Sequence, residues 1–263
     1  MDPQKGNFWD HLEVLRGVLI RSFIAVFVVA IVVFLLKNFV FEEIIFAPTN
    51  SDFPTFRLFN FFTSILGVSD GSILVEPVKV ISTRLAGQFF MHMSISFYVA
   101  LVICVPYITG EIWIFIRPAL YQNEKKYISK ALIFTGILFY LGVITAYYLI
   151  FPLSVNFLAS YQVMPDIENL ISIDSYIDTL VELCLATGIS FELPIATYFL
   201  AKIGILKYKF MQTHRKHAFV LVLIISAIIT PSTDVFTMFL TAFPLYLIFE
   251  LSVWVVKKVE KKE

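Results

Sequence analysis

The chain has 263 residues, of which 59% are hydrophobic and 15% are charged, and its formal net charge is +0. A soluble domain of this length carries more charge and far fewer than 28 phenylalanines, so the composition indicates an integral membrane protein. The balanced charge gives no electrostatic support to a nucleic-acid partner. Cys104 and Cys184 lie in apolar runs and are interpreted as small buried hydrophobic residues rather than disulfide or metal ligands.

Six apolar stretches predict an all-α membrane protein with six transmembrane helices in a single domain, residues 1–263. The stretches are Val18–Leu36, Phe89–Ile108, Ala131–Phe151, Ile177–Ala201, Ala218–Thr230 and Val235–Val256. The first four have the roughly 20 residues that cross a bilayer core of about 30 Å. The last two are expected to be short, because the fifth has about 13 residues and the sixth has about 15 before the acid Glu250.

The basic residues predict which side of the membrane each loop occupies. If the N-terminus is cytoplasmic, that side holds all of the 20 Lys and Arg residues except Lys37, Arg57, Lys79 and Arg84. Because cytoplasmic loops are enriched in Lys and Arg, both termini are predicted to be cytoplasmic. The long outer segment contains an apolar helix at Phe56–Gly67, interpreted as a cap on the outer face of the bundle, with an amphipathic partner-binding arm as the alternative.

Two acids lie in the fourth predicted span. Glu192 is near its middle and is followed by Pro194, which has no N–H to donate, so the helix is expected to kink beside the acid. An ionisable residue at membrane depth is a functional hypothesis, although a protonated acid with a purely structural role is the alternative. Glu182 is nearer the outer interface, where a solvated acid is equally consistent with the sequence.

Two further ionisable residues in predicted spans are interpreted as structural. His92 is expected to make a helix–helix contact rather than relay protons, and Glu250 is expected to pair with Lys257 on its own helix.

Catalysis is not expected. Gly188-Ile189-Ser190 resembles the nucleophile of an intramembrane serine protease, but Glu192 stands where a glycine is needed and the sixth span has no histidine base. The sequence has no metal-binding histidine motif and no phosphate-binding loop, so neither a metal nor a cofactor is predicted. A proton-coupled secondary transporter of a small solute stays open as an alternative, with Glu192 and Glu182 as proton sites.

Five motifs occur in order along nearly the whole chain. They are His11–Arg16 before span 1, Phe46–Pro48 after it, Trp113–Tyr121 followed by Glu124-Lys125-Lys126, Phe191–Pro194 in span 4, and Thr230–Phe236 between spans 5 and 6. Together these motifs make the chain resemble the TatC family, the multi-span receptor subunit of the twin-arginine (Sec-independent) protein translocase.

The resemblance implies a glove-shaped six-helix bundle with an outer cap in the bacterial cytoplasmic (inner) membrane. Its cytoplasmic face would bind the twin-arginine signal peptides of folded cargo and nucleate an export complex driven by the proton motive force. The implied partners are these peptides, membrane lipid and single-span TatA/TatB-like subunits in an oligomeric complex.

The resemblance also implies roles for residues at matching positions. The signal-peptide-binding set is Glu124, Glu13, Arg16, Phe115, Pro118 and Lys125. The intramembrane polar set that meets partner helices is Glu192, Pro194 and Glu182, and the structural cap and turn residues are Pro48 and Asp234. A carboxylate at Glu124 suits this role because it accepts two parallel hydrogen bonds from a guanidinium, which lysine cannot supply.

Two observations leave alternatives open at the predicted peptide site. From the residues alone, the favoured interpretation of Glu124 is an acid at the start of span 3, where it interacts well with the helix dipole. The family places a second acid three residues after the motif histidine, but this chain has Val14 there and Glu13 one residue earlier. One residue rotates a side chain by about 100° around a helix. Glu13 is still expected to reach an arginine, because it is placed in a flexible segment before the first helix, and Val14 is not expected to be a ligand.

Overall fold

The fold is almost entirely helical, and the computed structural model describes residues 8–50, 52–65, 80–116, 125–164, 169–230 and 234–261. The α-helices are Phe8–Leu35 (α1), Lys37–Phe39 (α2), Pro54–Ile65 (α3), Gly87–Ile116 (α4), Lys125–Thr145 (α5), Phe151–Ser160 (α6), Ile173–Ser190 (α7), Leu193–Lys202 (α8), Tyr208–Thr213 (α9), Arg215–Ile229 (α10) and Val235–Glu260 (α11). Two segments are π-helical, Val40–Ile45 and Ala146–Ile150, and Ala47–Thr49 is a 3-10 helix. Two short parallel strands, Val80–Ile81 (β1) and Ile171–Ser172 (β2), pair with each other.

The all-α membrane prediction is confirmed. Within the described residues, five helical segments are long and apolar enough to cross a membrane: Leu12–Leu35, Gly87–Phe115, Ile133–Ser160, Ile173–Lys202 and Val235–Glu260. Helix α10, which corresponds to the fifth predicted stretch, has 15 residues and is about 22 Å long at about 1.5 Å per residue. It is as short as the sequence indicated.

The prediction that the sixth stretch is short was wrong. Helix α11 is continuous over 26 residues and passes through Glu250 without a break. The Glu250 carboxylate is bound by Arg215 of α10 and by Tyr246 of α11. These hydrogen bonds offset part of the cost of removing the carboxylate from water.

The chain divides into two compact units. The first contains Met1–Lys37 and His92–Ile137, and the second contains Asn38–Met91 and Leu138–Glu263. In the first unit, Val26 of α1 packs with Ala100 and Cys104 of α4 in a buried cluster. Burial of these small side chains allows close approach of two helices that carry few polar residues.

The second unit has two buried clusters around α11. One contains Phe191, Val222, Ala242, Leu245 and Ile248. The other contains Ala201, Met211, Val253 and Val256 and fastens α8 and α9 to the C-terminal half of α11. Helix α11 is therefore the element against which α8, α9 and α10 pack.

Side-chain hydroxyl groups donate hydrogen bonds to backbone carbonyls of both π-helical segments, all within the second unit. Tyr147 donates a hydrogen bond to the carbonyl of Ile44 at 2.7 Å, and Tyr176 donates to the carbonyl of Ile45 at 2.8 Å. Thr55 of α3 donates to the carbonyl of Tyr148. Such bonds satisfy carbonyls that an irregular helix end leaves without partners. The apolar helix predicted in the outer segment is confirmed as α3.

Candidate functional site

The residues predicted to bind a signal peptide lie on α1, at the end of α4 and in the segment that follows. Glu13 and Arg16 are exposed near the start of α1, three residues apart, which places them on one face of the helix. The expectation that Glu13 precedes the helix was wrong, because α1 begins at Phe8. Phe115 is half-buried one residue before the end of α4, and Lys125 is the first residue of α5. Glu124 and Pro118 lie outside the described residues.

An ion pair joins α1 to α4 in the same unit. Arg21 donates from Nε at 3.0 Å and from Nη2 at 2.6 Å to Oε2 of Glu111. Tyr107, one turn earlier on α4, donates its hydroxyl to Oε1 of Glu111 at 3.1 Å. The Glu111 side chain is 10% exposed and that of Arg21 is 51% exposed, so the carboxylate is largely enclosed while the guanidinium meets the surface.

This pair anchors the helix that carries Glu13 and Arg16. Arg21 follows Glu13 by eight residues, or about 12 Å along α1, and Glu111 is five residues before the end of α4 at Ile116. The start of α1 is thereby held beside the helix that leads into the segment containing Glu124. The pair was not predicted from the sequence, although a base inside the first apolar stretch and an acid three residues after the second stretch, at the same predicted side, were a usable signal.

Glu192 lies at a break between two helices, at the position that Pro194 predicted. Helix α7 ends at Ser190, α8 begins at Leu193, and Glu192 is the residue that caps the N-terminus of α8. The break is tight, with Phe191 N–H bonded to the Thr187 carbonyl and Glu192 N–H bonded to the Ile189 carbonyl, each at 3.0 Å. Pro194 is buried at the second position of α8, where its missing N–H costs nothing.

Helices α5 and α7 approach closely just before this break. A Cβ atom placed on Gly142 would lie 2.8 Å from the Gly188 Cα and 2.8 Å from the Thr187 carbonyl oxygen. The contact fixes the end of α7 from which Glu192 projects, and Glu192 itself is half-buried. Glu182 is exposed on α7, ten residues earlier, and thus about 15 Å away along a helix.

A second ion pair joins α10 to α11. Arg215 Nη2 donates to Glu250 Oε2 at 2.9 Å, and the hydroxyl of Tyr246 donates to Glu250 Oε1 at 3.1 Å. The expectation that Glu250 pairs with Lys257 was wrong, because a base on the neighbouring helix is available at closer range. The arrangement repeats that of Arg21, with a tyrosine one turn before the acid.

The remaining predicted residues have local roles in the described structure. His92 stacks on Phe34, with ring centroids 3.9 Å apart, and its Nε2 lies 3.1 Å from the Phe34 carbonyl oxygen, so the predicted helix–helix contact is confirmed. Asp234 is the N-cap of α11 and accepts a hydrogen bond from the Thr237 N–H at 2.7 Å. Pro48 is buried in the 3-10 helix. No group of three or more metal-ligating side chains occurs among the residues that the structure describes.

Comparison with known proteins gives one consistent result. The family model described as "Sec-independent protein translocase protein (TatC)" matches residues 10–244. The chain is 33% identical over 258 residues to the Sec-independent protein translocase protein TatC of Blattabacterium sp. subsp. Periplaneta americana, covering 97% of each chain. It is 31% identical over 249 residues to the TatC protein of Campylobacter jejuni, covering 95% of this chain and 93% of that one.

A solved structure is similar to this chain over nearly its whole length. The crystal structure of a twin arginine translocase receptor, TatC, superposes with a TM-score of 0.73 at 32% sequence identity, covering 95% of this chain and 99% of the other. A second crystal structure of this receptor, obtained in the detergent DDM, also gives a TM-score of 0.73.

Proposed function

The chain belongs to the TatC family of Sec-independent protein translocase proteins, and from this premise we propose that it binds the twin-arginine signal peptides of folded proteins at its cytoplasmic face. As a family member it is a multi-pass subunit of the protein translocase of the bacterial membrane, a transport component rather than an enzyme. Membership favours this function over a transporter of small solutes.

The observation that carries the proposal is the similarity to a protein described as a twin arginine translocase receptor, at 32% identity over 95% of this chain. The match to the family model covers residues 10–244, a range that contains Glu13, Arg16 and Glu124. In the proposal, Glu124 accepts two charge-assisted hydrogen bonds from a guanidinium of the signal peptide. Phe115, Pro118 and Lys125 contribute to the same binding site.

The chemistry of this contact has a counterpart within the chain. Two N–H groups of Arg21 donate to one oxygen of Glu111, at 3.0 and 2.6 Å. A lysine ammonium in that place would be a single point charge and would lose the planar pair of donors. A carboxylate receptor of this kind therefore explains a requirement for arginine rather than for positive charge alone.

Glu13 is the proposed second acid. Val14 occupies the position of the family acid and is 47% exposed, and Glu13 is exposed as well. Because both side chains face outward from α1, moving the carboxylate by one residue keeps it on the accessible side of the helix. Glu13 then takes part in binding from a direction about 100° away.

The intramembrane set serves partner binding in the proposal. The break at Glu192 and Pro194 interrupts the helix and presents a carboxyl group where a single-span TatA/TatB-like helix can meet it, with Glu182 further along α7. A hydrogen bond of this kind is worth about 1 to 2 kcal/mol in lipid. The assembled oligomeric complex would then move folded cargo at the expense of the proton motive force.

Export of a twin-arginine reporter tests the loop acid. In cells that depend on this chain for export, Glu124→Gln should abolish reporter export while leaving the amount of membrane-inserted protein unchanged. Glu43→Gln is the matched control, because Glu43 is an exposed acid on the predicted outer side. Normal export by the Glu124→Gln protein would remove Glu124 from the binding site.

Two variants test whether Glu13 takes the role of the acid that the family has at the position of Val14. Glu13→Gln should weaken binding of the signal peptide, and adding Val14→Glu to that variant should restore it. A restored affinity shows that the carboxylate, rather than the fold of α1, is what the first substitution removes. Unchanged binding by Glu13→Gln would exclude Glu13 from recognition.

Crosslinking tests the intramembrane acid. A crosslink between α7 and a single-span partner should weaken in Glu192→Gln and stay unchanged in Glu43→Gln, which removes an exposed acid outside the intramembrane set. An undiminished crosslink in Glu192→Gln would assign Glu192 a structural role instead.

A further inference from the structure

One face of the last two turns of α11 combines an exposed tryptophan with three exposed lysines. Trp254, Lys257, Lys258 and Lys261 are spaced at i, i+3, i+4 and i+7, so they lie along one side of the helix. The Lys258 Nζ is 3.6 Å from the centroid of the Trp254 ring, a cation–π contact that positions the ammonium group. Trp254 is 52% exposed, so the pair sits at the surface of the second unit.

Helix α9 adds more bases to this face. The Lys257 Nζ is 5.3 Å from the centroid of the Tyr208 ring, and the Tyr208 N–H donates to Oε2 of Glu260 at 3.1 Å. Lys207 and Lys209, on either side of Tyr208, are both exposed. The bases of α9 and α11 therefore belong to one continuous surface.

The surface has a large excess of positive charge. Residues 202–216 and 254–261 contain eight Lys and Arg residues and one acid, Glu260. Arg215 is neutralised by Glu250 at 2.9 Å, which still leaves the lysines well in excess. A partner that complements the positive charge of these lysines is anionic.

Exposed apolar side chains next to the lysines specify the kind of anion. Ile203 is 52% exposed, Ile205 is 71% exposed and Phe210 is 57% exposed, all in the segment joined to α9. A free phosphate ion has no use for apolar contacts, whereas a phospholipid has a phosphodiester for the ammonium groups and acyl chains for the isoleucines and the phenylalanine. Tryptophan is enriched at the level of the lipid headgroups.

We propose that Lys257, Lys258 and Lys261, with Trp254 and the lysines of α9, form a binding site for the headgroup of an anionic phospholipid. The ammonium groups hold the phosphodiester, and Trp254 lies beside the glycerol and the first methylenes. The site does not depend on signal-peptide recognition, because its residues are separate from those assigned to that function.

Lipid retention by the purified protein tests the site. The full chain is exchanged into mixed micelles with equal amounts of phosphatidylglycerol and phosphatidylcholine, and the bound lipids are counted by native mass spectrometry. The wild-type protein should be enriched in phosphatidylglycerol. In the variant Lys257→Gln/Lys258→Gln/Lys261→Gln this enrichment should fall by about a hundredfold, because each of the three bases near an anionic surface contributes roughly a fivefold preference.

A control variant removes the same number of positive charges from another part of the chain. Lys37→Gln/Arg57→Gln/Arg84→Gln removes three exposed bases from the predicted outer side and should keep the wild-type enrichment. Circular dichroism confirms that each variant keeps its helical content. An unchanged enrichment in the α11 variant, or an equal loss in the control, would overturn the proposal.

Two further measurements distinguish binding of an intact lipid from binding of its headgroup phosphate alone. Trp254→Ala should reduce phosphatidylglycerol retention, whereas glycerol phosphate added in excess should displace little of the bound lipid. Full displacement by glycerol phosphate, together with full retention by Trp254→Ala, would show a simple anion site and contradict a lipid site.

Discussion

Replacing Gly142 with alanine should destabilise the second unit through a clash between helix backbones. The added Cβ would lie 2.8 Å from the Gly188 Cα, 2.8 Å from the Thr187 carbonyl oxygen and 2.9 Å from the Phe191 Cγ. Normal contacts begin near 3.4 Å, and two of these atoms are backbone, so α5 and α7 must separate by about half an ångström or more. The displaced end of α7 is the one that carries Glu192.

The expected change in the free energy of unfolding of the Gly142→Ala protein is the sum of two opposed effects. Overpacking costs about 1 to 3 kcal/mol, and a clash with backbone belongs at the upper end of that range. Alanine regains about 1 kcal/mol of helix propensity over glycine. The net loss in the free energy of unfolding is therefore about 2 kcal/mol, or roughly 4 to 8 °C in Tm for a chain of this size.

Thermal unfolding of the purified protein in detergent, followed by circular dichroism, measures this loss. Gly110→Ala is the matched control, because nothing lies within 4 Å of a Cβ there, and its Tm should stay equal or rise. Gly188→Ala should fall between the two, since its Cβ meets side-chain atoms of Phe139 at 2.8 Å and Val143 at 3.0 Å, which can move. A Gly142→Ala protein melting at or above the temperature of Gly110→Ala would refute the close approach.

Further substitutions test three other contacts by the same thermal measurement. A double-mutant cycle on Arg21→Gln and Glu111→Gln should give non-additive losses in Tm, because the two side chains are hydrogen-bonded to each other. Additive effects would contradict the contact. Tyr176→Phe should cost about 1 to 3 kcal/mol by leaving the buried carbonyl of Ile45 without its donor, and an unchanged Tm would mean that another donor replaces it. Asp234→Ala should cost about 1 kcal/mol through loss of the N-cap, while Asp234→Asn should restore most of it.

Much of the fold follows from local properties of the sequence. Long apolar runs predict membrane helices because the bilayer core demands about 20 apolar residues, and α1, α4 and α7 lie where those runs were found. The break before α8 follows from Pro194, whose missing N–H cannot continue the helix. The contact of His92 with a neighbouring helix was also expected from its place in an apolar run.

Contacts between distant parts of the chain could not be predicted in the same way. Arg21 and Glu111 are separated by 90 residues, and Arg215 and Glu250 by 35. Each base was assigned to the cytoplasmic side by counting charges, which gives the side of the membrane but no partner. The sixth span was predicted to be short because only about 15 residues of its apolar stretch precede Glu250, whereas helix α11 extends to Glu260.

The candidate site was predicted from the sequence mainly through motifs rather than through physical periodicity. Glu124 among Lys125, Lys126 and Lys130 is an ordinary cytoplasmic loop composition until the surrounding motifs identify the family. The structure adds the ion pair that anchors α1, a feature that no local pattern contained. The proposed role of Glu13 rests on the exposed face of that anchored helix.

The most direct test of signal-peptide recognition is co-purification of the intact membrane protein with a tethered signal peptide. The peptide carries two arginines, and the comparison peptide is identical except for two lysines. The account predicts that the two-arginine peptide retains the wild-type protein, that the two-lysine peptide does not, and that Glu124→Gln loses this difference. Equal retention by both peptides would contradict it, because a carboxylate receptor for guanidinium groups must distinguish them.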